Sequence, residues 1–236
     1  MSRIALREDG LLVLDAVLAA ADFECLWRDI RKRDFRSVHA QKWDKAWRLC
    51  DGLPMRGESI YFDPKGAFGW KGCSYPTRTR LDLLIDAIRR ASAAYPDVVG
   101  TEGVDWTAIY LAPWFYPVGS ALSVHRDSDQ RTGSFTFYIH PRWNLHWGGD
   151  LHVLPGSSAI ADEFLLRNDD EDEQWPARQE NSETDDAGIS ISIPPKPNRL
   201  VLIASNRPHR IARVDQNAGT AVRASVAGFF PRHSLV

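Results

Sequence analysis

Apolar residues recur at helical spacing in the first third of the chain, after a short continuous run at Leu11–Leu14 that predicts a strand. Two stripes with the i, i+3, i+4, i+7 pattern predict two amphipathic helices, because these positions share one helix face. Asp22 stands where it would cap the first helix, and Tyr95-Pro96 predicts the end of the second. The stripes comprise Phe23, Leu26, Trp27 and Ile30, followed by Leu81, Leu84, Ile85 and Ile88.

From Trp106 onward the pattern changes to short segments that are rich in β-branched and aromatic residues and separated by Gly, Pro and Asn. Many short strands without intervening helices predict a sandwich or a closed barrel. We therefore expect a single domain over 1–236, with an all-β core at 106–230 and flanking helices and a strand in 1–105 as its support. The predicted core strands lie at 106–112, 133–140, 150–154, 189–193, 199–204 and 221–230.

The composition is that of an ordinary globular protein, with 44% hydrophobic and 25% charged residues, and it argues against disorder or a fibrous protein. No apolar run reaches the roughly 18 residues of a membrane-spanning helix, and charge follows Met1 too closely for a secretory signal. The three cysteines lack CxxC spacing, so neither a disulfide framework nor a zinc site is predicted. We expect a cytoplasmic protein with no membrane partner.

The net charge of -2 is unevenly distributed along the chain. Segment 161–187 contains eleven Asp or Glu and two Arg, so the rest of the chain carries a net positive charge. Two interpretations of this acidic insertion stay open: a solvated loop, or an active-site lid anchored by Trp175 and Phe164–Leu166. The basic remainder contains no recognisable nucleic-acid-binding motif, so we expect no nucleic-acid partner.

His125 and Asp127 are separated by one residue, and Pro208-His209 follows after a long gap. On a strand, residues two apart emerge on the same face, so this pair can bind one metal ion with His209 as the third ligand. Two imidazoles and one carboxylate on one face of an octahedron suit non-haem Fe(II), with open positions for other ligands. The alternative for so short a motif is a packed or solvated histidine.

Further residues around these ligands form a second pattern. The order Y-x-x-G-x-x-L-x-x-H-x-D runs from Tyr116 to Asp127, Trp147-Gly148-Gly149-Asp150-Leu151 follows, and Arg223-Ala224-Ser225 comes after His209. From about Trp106 to Phe230 the chain resembles the Fe(II)/2-oxoglutarate-dependent dioxygenase superfamily, in particular its prolyl-hydroxylase-like branch. The resemblance implies a double-stranded β-helix, which is a jelly-roll or cupin-like fold, that uses Fe(II), 2-oxoglutarate and O₂.

The resemblance also implies a basic residue on a late strand that binds the distal carboxylate of 2-oxoglutarate. Arg223 is our candidate, because a guanidinium pairs bidentately with a carboxylate, and Ser225 would add a hydroxyl on the same strand face. Arg213 is an alternative anchor, since the step from His209 to Arg223 is longer than the family pattern. Tyr116 and Tyr138 match positions that face the cosubstrate, although core packing would also explain them.

The reaction implied by the resemblance is hydroxylation of an unactivated C–H bond, with release of succinate and CO₂. We expect a small amino-acid-like metabolite as the substrate; a peptidyl or protein prolyl-type substrate is the alternative, and desaturation or cyclisation in natural-product biosynthesis would use the same iron centre. The oligomeric state is not predicted. The candidate substrate contacts are Trp114, His140, Trp143 and Trp147.

Two other classes of protein compete with an oxygenase. A noncatalytic jelly-roll binding module would account for the aromatic strands, but it gives no reason for a His, Asp, His and Arg set in this order. A hydrolase would need a nucleophile, and the sequence contains neither a G-x-S-x-G motif nor a cysteine in a suggestive context. Iron binding distinguishes the oxygenase from both.

Overall fold

A computed structural model describes residues 2–38, 51–156 and 189–232 of the chain, so the acidic insertion 161–187 lies outside the described residues. The helices are α1 (Ala20–Ile30), α2 (Leu81–Ala94) and α3 (Pro96–Val99). The strands are β1 (Arg3–Glu8), β2 (Leu11–Asp15), β3 (Phe35–Ser37), β4 (Met55–Gly57), β5 (Ile60–Phe62), β6 (Cys73–Ser74), β7 (Ile109–Tyr116), β8 (Leu122–His125), β9 (Arg131–Tyr138), β10 (Leu151–Val153), β11 (Ile191–Ile193), β12 (Arg199–Ala204), β13 (His209–Ile211) and β14 (Arg223–Pro231).

The strands form two sheets of unequal size. The large sheet has the order β1-β2-β12-β9-β14-β7-β4-β3, with β5 and β6 joined to it through β7. The small sheet has the order β11-β10-β13-β8. Neighbouring strands are antiparallel except for β5 and β6, which pair in parallel. The described residues are mostly β-sheet, which agrees with the predicted all-β core.

The two faces of the large sheet bury different partners. Because side chains alternate along a strand, Leu12 and Leu14 of β2 pack with the helices, whereas Leu11 and Val13 pack toward the small sheet. The first core therefore joins the large sheet to α1 and α2, and the second core lies between the two sheets. This facing arrangement is typical of a jelly roll. The second core leads into the cavity described below.

Helices α1 and α2 occupy the two segments with helical spacing, and each buries its apolar stripe in the first core. The prediction that Asp22 caps α1 is wrong, because the helix already begins at Ala20 and Asp22 lies in its first turn. Its carboxylate still interacts favourably with the helix dipole and lies 3.6 Å from the Arg80 guanidinium. No helix among the described residues combines the length and the apolar character that crossing a membrane requires.

Strand positions differ from the prediction where bends or polar residues interrupt the pattern. The strand predicted at 106–112 runs over Ile109–Tyr116, because Trp106 pairs only through isolated bridges, with Glu102 and Arg232. The strand predicted at 133–140 ends at Tyr138. Strands β8 and β13, which contain only four and three residues, are absent from the predicted core strands. The strand expected to carry both His125 and Asp127 ends at His125.

Candidate metal centre and active site

Three candidate ligands that are distant in sequence meet in the small sheet. His125 ends β8, His209 begins β13, and the antiparallel pairing places these two residues directly opposite each other with ring centroids 4.3 Å apart. Asp127 follows two residues later, where β8 has already ended. One potential ligand atom from each residue lies within 4.8 Å of the others, and all three residues are buried. This separation allows a single metal ion to contact all three.

Each histidine ring is oriented by its own strand. Nδ1 of His125 lies 3.0 Å from the Ser123 carbonyl oxygen, and Nδ1 of His209 lies 3.0 Å from the Arg207 carbonyl oxygen. Because a carbonyl only accepts, Nδ1 carries the proton and donates it, which leaves Nε2 as the ligand atom. In both cases the carbonyl belongs to the residue two positions before the histidine, and this contact orients the ring. Local backbone geometry thus fixes the tautomer that metal binding requires.

The charges of the three residues also suit a cation. Burial lowers the pKa of His125 to about 4, with a further contribution from His209, so the ring stays neutral at physiological pH. Burial alone would raise the pKa of the Asp127 carboxyl, but its interactions with His209, His125 and Arg131 hold that pKa below its usual value. Oδ2 of Asp127 is buried and accepts no hydrogen bond. A bound cation would satisfy this orphaned oxygen.

Arg223 is buried in the large sheet, with 0% of its surface exposed. Its Nε donates to the Gly149 carbonyl at 2.8 Å, its Nη2 donates to the Tyr138 hydroxyl at 3.3 Å, and its guanidinium lies 5.2 Å from the Tyr116 ring centroid. Nη1 has no partner, and no carboxylate among the described residues forms an ion pair with this side chain. A buried guanidinium without an anion is unfavourable. Binding of an anionic ligand beside Nη1 would therefore be favourable.

Gly149 shows how closely the backbone approaches this arginine. Its φ of +74° favours glycine, and a Cβ added there would lie 2.9 Å from Cδ of Arg223. The Trp147-Gly148-Gly149 turn, which the sequence marked only as a motif, therefore supplies the carbonyl that orients Arg223. By contrast, Arg213 is exposed and donates to the Gly119 carbonyl. Burial favours Arg223 over the alternative anchor.

The remaining predicted cosubstrate residues share the face of the large sheet that looks toward the triad. Strand register places Arg223 opposite Tyr116, and Ser225 between Trp114 and Tyr138. Tyr116, Trp114 and Ser225 line a cavity of about 170 Å³ that also includes the three candidate ligands. Burial raises the pKa of Tyr138, so its hydroxyl stays protonated while it accepts from Arg223. Tyr116 and Ser225 thus line the cavity with the candidate ligands, whereas Arg223 and Tyr138 do not line it and lie beside Tyr116 and Ser225.

Three predicted substrate contacts lie elsewhere. His140 is buried, its Nδ1 lies 3.0 Å from the Ala224 carbonyl oxygen, and burial together with Arg223 lowers its pKa to about 3. Trp143 packs 5.0 Å from the His140 ring and 5.3 Å from Trp147, and its Nε1 donates to the Gly148 carbonyl. None of these three residues lines the cavity. They follow the end of β9 and pack near Arg223, so their positions do not support a role as substrate contacts. Trp114, the fourth candidate, does line the cavity.

Several lining residues were missed in the sequence. Four of them could have been found from strand alternation. Ser134 and Thr136 precede Tyr138 at two-residue steps on β9, and Ala227 and Phe229 follow Ser225 at two-residue steps on β14. Arg131 is the charged member of this set. The missed lining residues include Tyr110, Arg131, Ser134, Thr136, Ala227 and Phe229.

Comparison with solved structures finds the same fold in two prolyl hydroxylases and an epimerase. A Pseudomonas putida prolyl-4-hydroxylase aligns with a TM-score of 0.62 and 17% identity over 95% of this chain and 94% of that chain. A Trichoplax adhaerens prolyl hydroxylase, solved with a hypoxia inducible factor peptide fragment, aligns with a TM-score of 0.52 and 16% identity over 94% and 84%. The α-ketoglutarate-dependent epimerase SnoN from nogalamycin biosynthesis aligns with a TM-score of 0.51 and 11% identity over 94% and 77%. At these identities the similarity concerns the fold.

The sequence itself identifies the family. No curated protein is significantly similar to the chain. A family model described as the 2OG-Fe(II) oxygenase superfamily matches residues 112–231, which is just over half of the chain and contains the triad and Arg223. This family implies an oxidoreductase that uses Fe(II), 2-oxoglutarate and O₂, and the orphaned Asp127 oxygen and unpaired Arg223 fit a metal and a dicarboxylate. The chain belongs to the 2OG-Fe(II) oxygenase superfamily.

Proposed function

We propose that the protein is a dioxygenase in which His125, Asp127 and His209 bind Fe(II), and Arg223 binds the distal carboxylate of 2-oxoglutarate. The observation that carries this proposal is the fully buried Arg223 guanidinium, which lacks an anion beside a cavity that contains the triad. When bound, the metal and 2-oxoglutarate would supply the oxidising chemistry and release succinate and CO₂. A noncatalytic binding module would have no need of both features together.

The residues of the chain would have distinct tasks. His125 and His209 would present Nε2 to the metal, because their Nδ1 atoms face backbone carbonyls. Asp127 would add the negative charge, and its lowered pKa keeps it ionised. Arg223 would bind the dicarboxylate through Nη1, with Ser225 and Tyr138 as hydroxyl partners and Tyr116 as the wall of the pocket.

The substrate we propose is a small amino-acid-like metabolite that is hydroxylated at an unactivated C–H bond. The cavity of about 170 Å³ would also hold the metal and part of 2-oxoglutarate, so its size supports a small substrate. A peptidyl substrate is the second candidate, favoured by the fold shared with the Trichoplax adhaerens enzyme that was solved with a peptide. The fold is also shared with an epimerase, so desaturation and cyclisation at the same iron centre stay alternatives to hydroxylation.

The proposal is tested by adding Fe(II) and 2-oxoglutarate under anaerobic conditions and recording the visible charge-transfer band of the iron–keto acid chelate. We expect the band in the native protein and its loss in His125→Ala, because two ligands bind the metal too weakly. Arg90→Gln is a matched control, since Arg90 is exposed on α2. Absence of the band in folded native protein would refute the oxygenase and favour the binding module.

A further inference from the structure

Arg131 is a second arginine at the cavity, and it is held differently from Arg223. It begins β9 and lines the cavity together with the triad. Its guanidinium lies 3.7 Å from the centroid of the Phe229 ring, and its side chain is 25% exposed. Stacking of this kind is favourable for a guanidinium and restricts its orientation. The charged group is therefore held in place by a ring of the cavity wall.

The hydrogen-bond donors of Arg131 are open to a ligand. Its closest acidic atom is Oδ1 of Asp127, which lies 3.7 Å from Nη1 and so beyond hydrogen-bond distance. Within residues 2–38, 51–156 and 189–232, no group accepts a hydrogen bond from this side chain, whereas Arg223 donates to both Gly149 and Tyr138. An oriented guanidinium with open donors is suited to bidentate binding of a carboxylate.

The charges around the cavity leave Arg131 without a permanent counterion. With the proposed ligands bound, the positive charges of Fe(II) and Arg223 balance those of dianionic 2-oxoglutarate and Asp127. Asp127 is the sole acidic residue in the lining that the structure describes, and it is committed to the metal in this balance. The charge of Arg131 then remains, so an additional anion would be stabilised beside it.

The wall next to Arg131 is apolar and aromatic. Phe229 stacks on Tyr110 with a centroid separation of 6.0 Å and an interplanar angle of 9°, and Trp114 also belongs to the lining. Such surfaces bind flat or branched apolar groups, with a few polar residues that fix the orientation. A ligand of Arg131 would therefore combine an anionic group with an apolar body.

We propose that Arg131 binds the carboxylate of the substrate, which makes the substrate class a small carboxylic acid with an aromatic or other apolar body. This inference rests on the proposed function and assigns a different anion to each arginine: 2-oxoglutarate to Arg223 and the substrate to Arg131. Because Arg131 lies beside Asp127, the oxidised carbon belongs to the part of the substrate near its carboxylate. An amide or ester of the same acid would lose this contact.

The test measures the affinity for phenylacetate and for phenylacetamide, which have the same shape but differ in charge, by isothermal titration calorimetry. The protein is kept anaerobic with Fe(II) and saturating 2-oxoglutarate, whose own binding is measured first. We expect the acid to bind at least about tenfold more tightly than the amide, and Arg131→Gln to remove that preference, as loss of a charge-assisted hydrogen bond would. Arg131→Lys should keep part of it, and Arg90→Gln all of it.

Three outcomes would overturn the inference. Equal affinities for acid and amide in the native protein, with 2-oxoglutarate bound normally, would refute the substrate class and leave the proposed function intact. A loss of Fe(II) affinity in Arg131→Gln with an unchanged acid preference would make Arg131 a positioning residue for Asp127. Failure of 2-oxoglutarate to bind the native protein would refute the proposed function and, with it, this inference.

Discussion

The two sheets contribute different halves of the candidate active site. The small sheet carries His125 and His209 on strands of four and three residues, and Asp127 follows the end of β8. The large sheet carries Arg223, whose strand has nine residues and pairs along its length with β7 and β9. The metal ligands therefore lie on or just after short strands, whereas the proposed anion-binding residue begins a long strand that is central in the large sheet.

The difference lies in how each side chain obtains its orientation. The two histidine rings contact carbonyls only two residues away, so a short strand is sufficient to orient them. Arg223 instead contacts Gly149 and Tyr138, which are 74 and 85 residues distant in sequence. Local contacts tolerate short strands, whereas distant contacts need a rigid frame of paired strands. The two halves of the site should accordingly respond to different substitutions.

The largest expected effect separates the two halves directly. Arg223→Lys keeps the buried charge but removes the planar fork, so the affinity for 2-oxoglutarate should fall at least about tenfold while Fe(II) binding is unchanged. Anaerobic calorimetry with each ligand measures both quantities. Arg213→Lys is the matched control and should change neither affinity; a loss of 2-oxoglutarate binding there instead would favour the alternative anchor.

A second prediction concerns pH and the buried His140, which contacts the large sheet at Ala224. Burial and Arg223 lower its pKa from 6.5 to about 3, so between these values the unfolded chain binds a proton that the folded protein does not. The unfolding free energy of the metal-free protein should fall as the pH drops below about 6.5, with a contribution from His140 of at most about 1.4 kcal/mol per pH unit.

Replacement of this side chain tests its contribution. His140→Asn retains a donor for the Ala224 carbonyl but does not titrate, so its unfolding free energy should depend less steeply on pH than that of the native protein. Urea unfolding between about pH 7.5 and 5 measures both slopes. Parallel slopes would show that His140 does not cause the acid sensitivity, and the similarly shifted His125 would then be the group to examine.

The smallest expected effect concerns support of the small sheet. Ser123 donates its backbone N–H and hydroxyl to Asp51, and its carbonyl contacts Nδ1 of His125. Ser123→Ala removes only the hydroxyl bond, so it should destabilise the protein by about 1 kcal/mol and weaken Fe(II) binding by about tenfold or less. Ser92→Ala, which removes a buried hydroxyl that donates to the Arg89 carbonyl within helix α2, is the control and should leave the Fe(II) affinity unchanged.

Some of the site could be predicted because its signals are local. The HxD spacing and the later His209 follow from residue identity and strand alternation, and the choice of Arg223 and Ser225 followed from the family resemblance. The structure places the triad and Ser225 in the cavity lining, and Arg223 against the ring of Tyr116. The predicted location of HxD within one strand was wrong, since β8 ends at His125. The roles of these residues remain predictions that the experiments above test.

Tertiary structure decided what depends on distant contacts. His140, Trp143 and Trp147 have residue types common in binding sites, but the turn after β9 directs them away from the cavity lining. Arg131 gives no sequence signal, and its position against Phe229 and beside Asp127 appears only when β9, β14 and the end of β8 come together. Periodicity thus predicted the all-β core, because it is a property of neighbouring residues, and the iron and 2-oxoglutarate chemistry followed from motifs spread along the C-terminal half of the chain. The burial of Arg223 and the accessibility of Arg131 depend on tertiary packing, which the sequence does not reveal. The substrate class that we propose rests on this difference between the two arginines.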